Sequence, residues 1–371
     1  EMWLLLVALC LSQGLGSAIP ITEEFHNPER FMNISQKIRF QGYPSEEYEV
    51  TTEDGYILSL NRIPHGRAGT PVLIVHGFSL DGGDWVDNLP DNSLAFILAD
   101  AGYDVWIGNN RGNSWSRRHL YLSVHQEKFW DFSFHEMAIY DLPAMVGFII
   151  MQTEQQKLFY VGHAQGSSLG FIAFSSLPHL GEKIKLFFAL TPGYTLQHVK
   201  GSLLKIVFLP DEILKVREVF VCYYSQNPGL LATHTPCIAT IYKMKYLGFF
   251  CLDRFSSSPA HLENTLFFLQ SRLDVYLAHF PDYTSVKTLL HWGQSLPPLY
   301  RIEDMTVPVA LWSGGEDWVN PPREIRHLLR RLTSVIRHEE FPDWNHFDYH
   351  WGLDAPQRLY SQMLSLMGQH S

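Results

Sequence analysis

The pentad Gly162-His163-Ala164-Gln165-Gly166 constrains this chain more than any other stretch. Before it comes a short apolar run, Lys157-Leu158-Phe159-Tyr160-Val161, which reads as a buried strand ending near Val161. After it comes Ser167-Ser168-Leu169-Gly170-Phe171-Ile172-Ala173-Phe174, which suits a tightly packed helix. Strand, sharp turn and helix are the setting of the GxSxG nucleophile elbow, whose glycines are required because strand and helix approach too closely for side chains. Here Ala164 stands at the tip, and a methyl group has no lone pair to attack a carbonyl. Two readings follow: a hydrolase scaffold that has lost its chemistry, or an enzyme whose serine has been replaced.

The remaining pattern supplies the sheet such an elbow needs. Glu47 to Thr52 and Tyr56 to Ile63 flank Glu53-Asp54-Gly55 as a β-hairpin. Val72 to Val75, Asp104 to Ile107, Leu158 to Val161, Ile184 to Leu190, Val309 to Trp312 and Val335 to Phe341 are short runs, most of them apolar, separated by helical patterns. This alternation predicts an α/β fold with a mostly parallel sheet. From about Thr195 to about Pro298 the rhythm fails, and the segment reads as an inserted helical cap. The expected order is a leader over 1–18, a first core part over 19–194, the cap over 195–298 and a second core part over 299–371.

A chain of 371 residues can bury a full core. Its 38 acidic residues outnumber 28 basic ones with no Lys/Arg run, so a nucleic-acid partner has no electrostatic support. Met2 to Leu11 is apolar, and Gly14-Leu15-Gly16-Ser17-Ala18 offers small residues beside which a signal peptidase cuts. No later stretch reads as long and apolar enough to span a bilayer. Past the leader Cys222, Cys237 and Cys251 remain, an odd number that allows at most one internal disulfide. Asn33-Ile34-Ser35 is a glycosylation sequon, expected to be exposed. The oligomeric state is left open.

Acyl transfer needs a base for the nucleophile, a carboxylate to orient the base, and oxyanion donors. Asp317 follows the strand Val309 to Trp312 within Ser313-Gly314-Gly315-Glu316-Asp317, and His346 follows the strand Val335 to Phe341. Their chain order, nucleophile then carboxylate then histidine, is that of α/β-hydrolases. His76-Gly77-Phe78 follows Val72 to Val75 and can aim backbone N–H groups at the elbow, beside the N–H of Gln165. Gly166-Ser167-Ser168-Leu169-Gly170 also matches GxSxG, but Ser168 lies about one helical turn past the elbow and reads as a buried, backbone-bonded hydroxyl. His346 and His350 have no third partner at metal-ligand spacing.

The chain resembles the acid lipase family of secreted and lysosomal neutral-lipid hydrolases. The likeness runs through Met32-Asn33-Ile34-Ser35, Glu53-Asp54-Gly55-Tyr56, Gly102-Tyr103-Asp104-Val105-Trp106, Arg111-Gly112-Asn113, Tyr140-Asp141-Leu142-Pro143, Ser271-Arg272-Leu273-Asp274 and Trp351-Gly352-Leu353-Asp354. It implies an α/β-hydrolase core with a helical lid, acting on triacylglycerols or sterol esters at a lipid–water interface without metal or other cofactor. It places the nucleophile at position 164, the acid at Asp317, the base at His346 and the oxyanion donors at Phe78 and Gln165. The chain departs from the family at Ala164, in its cysteine spacing, and where Gln294 runs almost directly into Pro297-Pro298. The alternative is a non-catalytic pseudo-lipase that binds a lipid or a partner through its cap.

Overall fold

The computed structural model describes residues 27–65, 69–195, 272, 274–276, 278–293 and 300–370. The leader, most of the cap and the cysteines lie outside the described residues. Nine strands form one sheet in the order β1-β2-β4-β3-β6-β7-β8-β9, with β5 beside β2. They are β1 (Glu46–Thr51), β2 (Tyr56–Ile63), β3 (Pro71–Val75), β4 (Asp104–Gly108), β5 (Arg118–His119), β6 (Leu158–His163), β7 (Ile184–Leu190), β8 (Val309–Gly314) and β9 (Val335–Phe341). The β1–β2 hairpin forms as read, turning at Gly55, whose φ of +97° suits a residue without a side chain. From β4 through β9 every pairing is parallel. β5 escaped the sequence reading because two residues carry no periodicity.

Strands β3, β4 and β6 are buried along their whole length, as uninterrupted apolar runs covered on both faces must be. The edge strand β9 is largely exposed and accordingly carries Arg337, Glu339 and Glu340. One core, on one face of the sheet, gathers Met145, Val146 and Ile149 of α3 (Leu142–Thr153) with Leu169 and Ile172 of α4 (Gln165–Ser176). The opposite core gathers Leu94, Phe96 and Leu98 of α2 (Leu94–Asp100) with Met363 and Met367. Arg111, fully buried, bonds Asp54 at 2.5 Å and Asp141 at 2.7 Å, tying the hairpin turn to the start of α3. That ion pair explains why three of the quoted motifs, around Asp54, Arg111 and Asp141, occur together.

One expectation needs correction. The helical run Phe134–Thr153 is long and apolar enough, by length and composition, to cross a membrane. The sequence reading missed it because Glu136, Asp141 and Pro143 break the apolar run, whereas the backbone continues through a π turn at Met137–Asp141. In the fold Met137, Ala138, Leu142, Met145, Val146 and Ile149 pack into the core, so its apolar face covers the sheet.

The chain leaves β3 toward β4 on one side and reaches β6 on the other. Beyond the carboxyl ends of these strands opens the crevice in which open α/β sheets bind ligands. The tips of β3, β6 and β8 all deliver residues there.

Candidate active site

The elbow is built by exclusion. Strand β6 runs through His163, two residues beyond its expected end, and α4 starts at Gln165, so the whole reversal falls on Ala164. Its φ of 47° and ψ of −110° lie where non-glycine residues are strained by on the order of 1–3 kcal/mol. A Cβ on Gly162 would lie 2.5 Å from the carbonyl carbon of Gly166, and one on Gly166 would lie 2.4 Å from the carbonyl oxygen of Val75. Only glycine fits either position. The Ala164 N–H donates to the Leu190 carbonyl at 2.9 Å, fixing the turn to β7.

Asp317, beyond β8, and His346, beyond β9, meet through their side chains. His346 Nδ1 lies 3.0 Å and 3.2 Å from the two carboxylate oxygens of Asp317. A carboxylate only accepts, so Nδ1 carries a proton toward it, which in the neutral ring leaves the lone pair on Nε2. Asp317 is fully buried and also accepts from the Thr191 hydroxyl and from the Val319 and Asn320 N–H groups at 2.8 Å. Burial alone would raise its pKa; the His346 imidazole and the bonds from Thr191 and Asn320 outweigh it and hold the carboxyl below its ordinary value. Glu316 is exposed and bonds elsewhere through its backbone.

On the opposite side of position 164, a Cβ added to Gly77 would lie 3.3 Å from the Ala164 methyl, so the loop after β3 is packed against the elbow. Phe78 is half-buried beside it. Gln165 is the first residue of α4, where backbone N–H groups have no intrahelical acceptor. Its side chain is held from the cap side: Trp292 Nε1 of α5 (Val286–Gly293) donates to Gln165 Oε1 at 2.8 Å. Trp292 also helps to line a small cavity beside α4 with Phe134, Phe171, Tyr194, Ile302 and Arg331.

Further polar residues shape the site, of which Asn110 and Asn320 carry no recognisable sequence signal. His76 Nδ1 donates to the Gly77 carbonyl at 2.8 Å while Nε2 accepts from the Asn110 N–H at 3.2 Å, shaping the loop. Burial lowers the pKa of His76 and keeps it neutral. Asn320 Nδ2 donates to the Thr191 carbonyl at 2.8 Å, closing a ring of bonds around Asp317. The His350 ring meets those of Trp85 and His163 edge-on at 4.3 Å and 4.1 Å. Burial, then the charge of His346, pushes the His350 imidazole down to about 3.

Ser168 is buried, and its hydroxyl donates to the carbonyls of Gly193 at 2.6 Å and Ala164 at 3.2 Å. It sits one turn into the helix, as its spacing implied. Asn33 caps the helix α1 (Ile34–Phe40), which precedes the sheet, accepting from the Gln36 N–H at 2.8 Å. The sequon is less exposed than expected: Asn33 is half-buried, and Ser35 is fully buried against Asn61 and Ser45. Among the described residues, no group of three or more His, Cys, Asp or Glu side chains could hold a metal ion.

Comparison with known proteins agrees with this geometry. Residues 70–353 match the family described as alpha/beta hydrolase fold, and residues 34–89 match the partial alpha/beta-hydrolase lipase region. The chain is 42% identical to human gastric triacylglycerol lipase, with 99% of each covered. It is 43% identical to human lysosomal acid lipase/cholesteryl ester hydrolase, covering 97% of this chain and 95% of that one. It is also 42% identical to human Lipase member M over all of this chain and 93% of the relative. In fold, it matches a thermophilic esterase from Thermogutta terrifontis with a TM-score of 0.56 at 16% identity, over 88% of this chain and 99% of that one. The strained turn, the acid–base pair and full-length relatives at this identity converge: the chain belongs to the acid lipase family of α/β-hydrolases.

Proposed function

We propose that this protein is an acid-lipase-type carboxylic ester hydrolase scaffold for neutral lipid esters, triacylglycerols or sterol esters. Its Ser-Asp-His mechanism lacks the nucleophile because Ala164 fills that position. The family relation supports lipid esters as the substrate class, and the printed names of two relatives, a triacylglycerol lipase and a cholesteryl ester hydrolase, support the two ester types. The protein is secreted or lysosomal, a placement supported by the family relation and by a relative named as lysosomal. The observation that carries the reading is the Asp317–His346 pair, kept bonded and buried beside an elbow whose strained backbone is intact.

With a hydroxyl at position 164, His346 Nε2 would accept its proton as the oxygen attacks the ester carbonyl. The Phe78 and Gln165 N–H groups would hold the oxyanion, and Asp317 would stabilise the imidazolium. His346 would return the proton to the departing alcohol, and water would release the acyl group by the same steps. Without that hydroxyl, turnover falls by about a million-fold in a comparable hydrolase. The second reading, a pseudo-lipase that binds a lipid or a partner, rests on Ala164 itself, whose methyl group cannot attack an ester.

Ala164→Ser decides between them. It should create ester hydrolysis at least about a thousandfold above the Ala164 protein, with labelling by a fluorophosphonate probe. A further His346→Gln should abolish both, and a further Ser168→Ala should leave both intact. A folded Ala164→Ser protein that binds a neutral lipid and stays inert would establish the pseudo-lipase instead.

A further inference from the structure

His163 is the last residue of β6 and precedes the nucleophile position. Its ring is fully buried and reaches three parts of the site at once. Its Nε2 lies 3.0 Å from the backbone carbonyl of His346; a carbonyl only accepts, so Nε2 carries the proton and donates. Its Nδ1 edge rests on the oxyanion loop, where a Cβ at Gly77 would come within 3.0 Å of it. Its ring centroid lies 5.0 Å from that of His346 and 4.1 Å from that of His350.

A residue chosen only to fill this space would be apolar. Imidazole instead brings two polar nitrogens into a dry interior, one of which, Nδ1, finds no hydrogen-bond partner among the described residues. That burial is costly unless the bond made by the other nitrogen is needed. Burial, then His350 and His346 nearby, hold the pKa of His163 well below its ordinary value, which favours the neutral ring with its one proton on Nε2. The neighbouring groups from the packed elements are His76 on the loop after β3, and His346, Tyr349 and His350 beyond β9.

We propose that His163 is a positioning residue, whose Nε2–H···O=C bond to His346 sets the base's backbone against the elbow while its other edge braces the oxyanion loop. The inference rests on His346 being the base. It gives the x position of the elbow a defined task, one that side chains without a donor at that reach cannot perform.

Two measurements test it. Nitrogen-15 NMR of the imidazoles in the unaltered Ala164 protein should find the neutral His163 ring protonated at Nε2; an Nδ1–H tautomer there would overturn the proposal. In the Ala164→Ser protein, His163→Phe should lower kcat about ten- to a hundredfold with KM unchanged. His163→Gln, whose amide keeps a donor near the same place, should restore most of the loss. Parent-like turnover in His163→Phe, or equal losses in both variants, would overturn it. If Ala164→Ser is itself inert, the functional reading fails by that result alone. The positioning claim is then read in the Ala164 protein, where His163→Phe should erase the low-field Nδ1 proton of the His346–Asp317 pair and His163→Gln should keep it. Survival of that proton in His163→Phe would refute the link.

Discussion

The elbow and the acid–base corner lie side by side and are held by different forces. Around Ala164 the backbone is fixed by contact: two glycines leave no room for a methyl, and the chain is bonded to Leu190. Around Asp317 the atoms are fixed by charge and hydrogen bonds from His346, Thr191, Val319 and Asn320. A site held by packing keeps its shape when the reactive side chain is removed, because that side chain supports nothing. A site held by a buried charge cannot lose a member so cheaply. This difference lets the turn at position 164 keep its shape with only a methyl group at its tip.

Three changes sharpen or break the contrast beyond the serine restoration. Within the Ala164→Ser protein, Asp317→Asn should lower kcat by about ten-thousandfold, because an amide no longer enforces the Nδ1–H tautomer of His346. Steady-state kinetics on a soluble ester reads this, and a loss below tenfold would mean the corner is not charge-held in the way argued. Gly166→Ala should destabilise by about 4 kcal/mol or more, since its methyl would collide with the Val75 carbonyl. Denaturant unfolding that matches the parent would refute packing as the restraint. The smallest effect belongs to Ala164→Gly, which should stabilise by about 1 kcal/mol, as glycine adopts the positive φ without strain. A lower melting temperature would show that the elbow carries no releasable strain.

Much of the site was legible because its signals are local. Two glycines four apart between an apolar run and a helical one announce the elbow, and Asp317 and His346 each follow a recognisable strand. What stayed hidden involves partners distant in sequence. Trp292 meets Gln165 across 127 positions, and His163 meets His346 across 183. Thr191 marks only the end of β7 until its hydroxyl is seen on Asp317. The helix Phe134–Thr153 was misjudged for a related reason: polar residues that break an apolar run in sequence are absorbed on one side of a continuous helix.

By itself the sequence determined the class of fold, the order of strands along the chain, the place of the elbow at Ala164 and the strand ends that carry Asp317 and His346. These depend on steric rules and periodicities that act within a few residues. Tertiary structure alone decided the tautomers of the histidines, the bonds that keep Asp317 charged, and the wedging of Gly77 against Ala164. Those properties come from dry surroundings assembled by segments far apart in the chain, where a hydrogen bond or a charge acquires its direction only from what the fold packs against it.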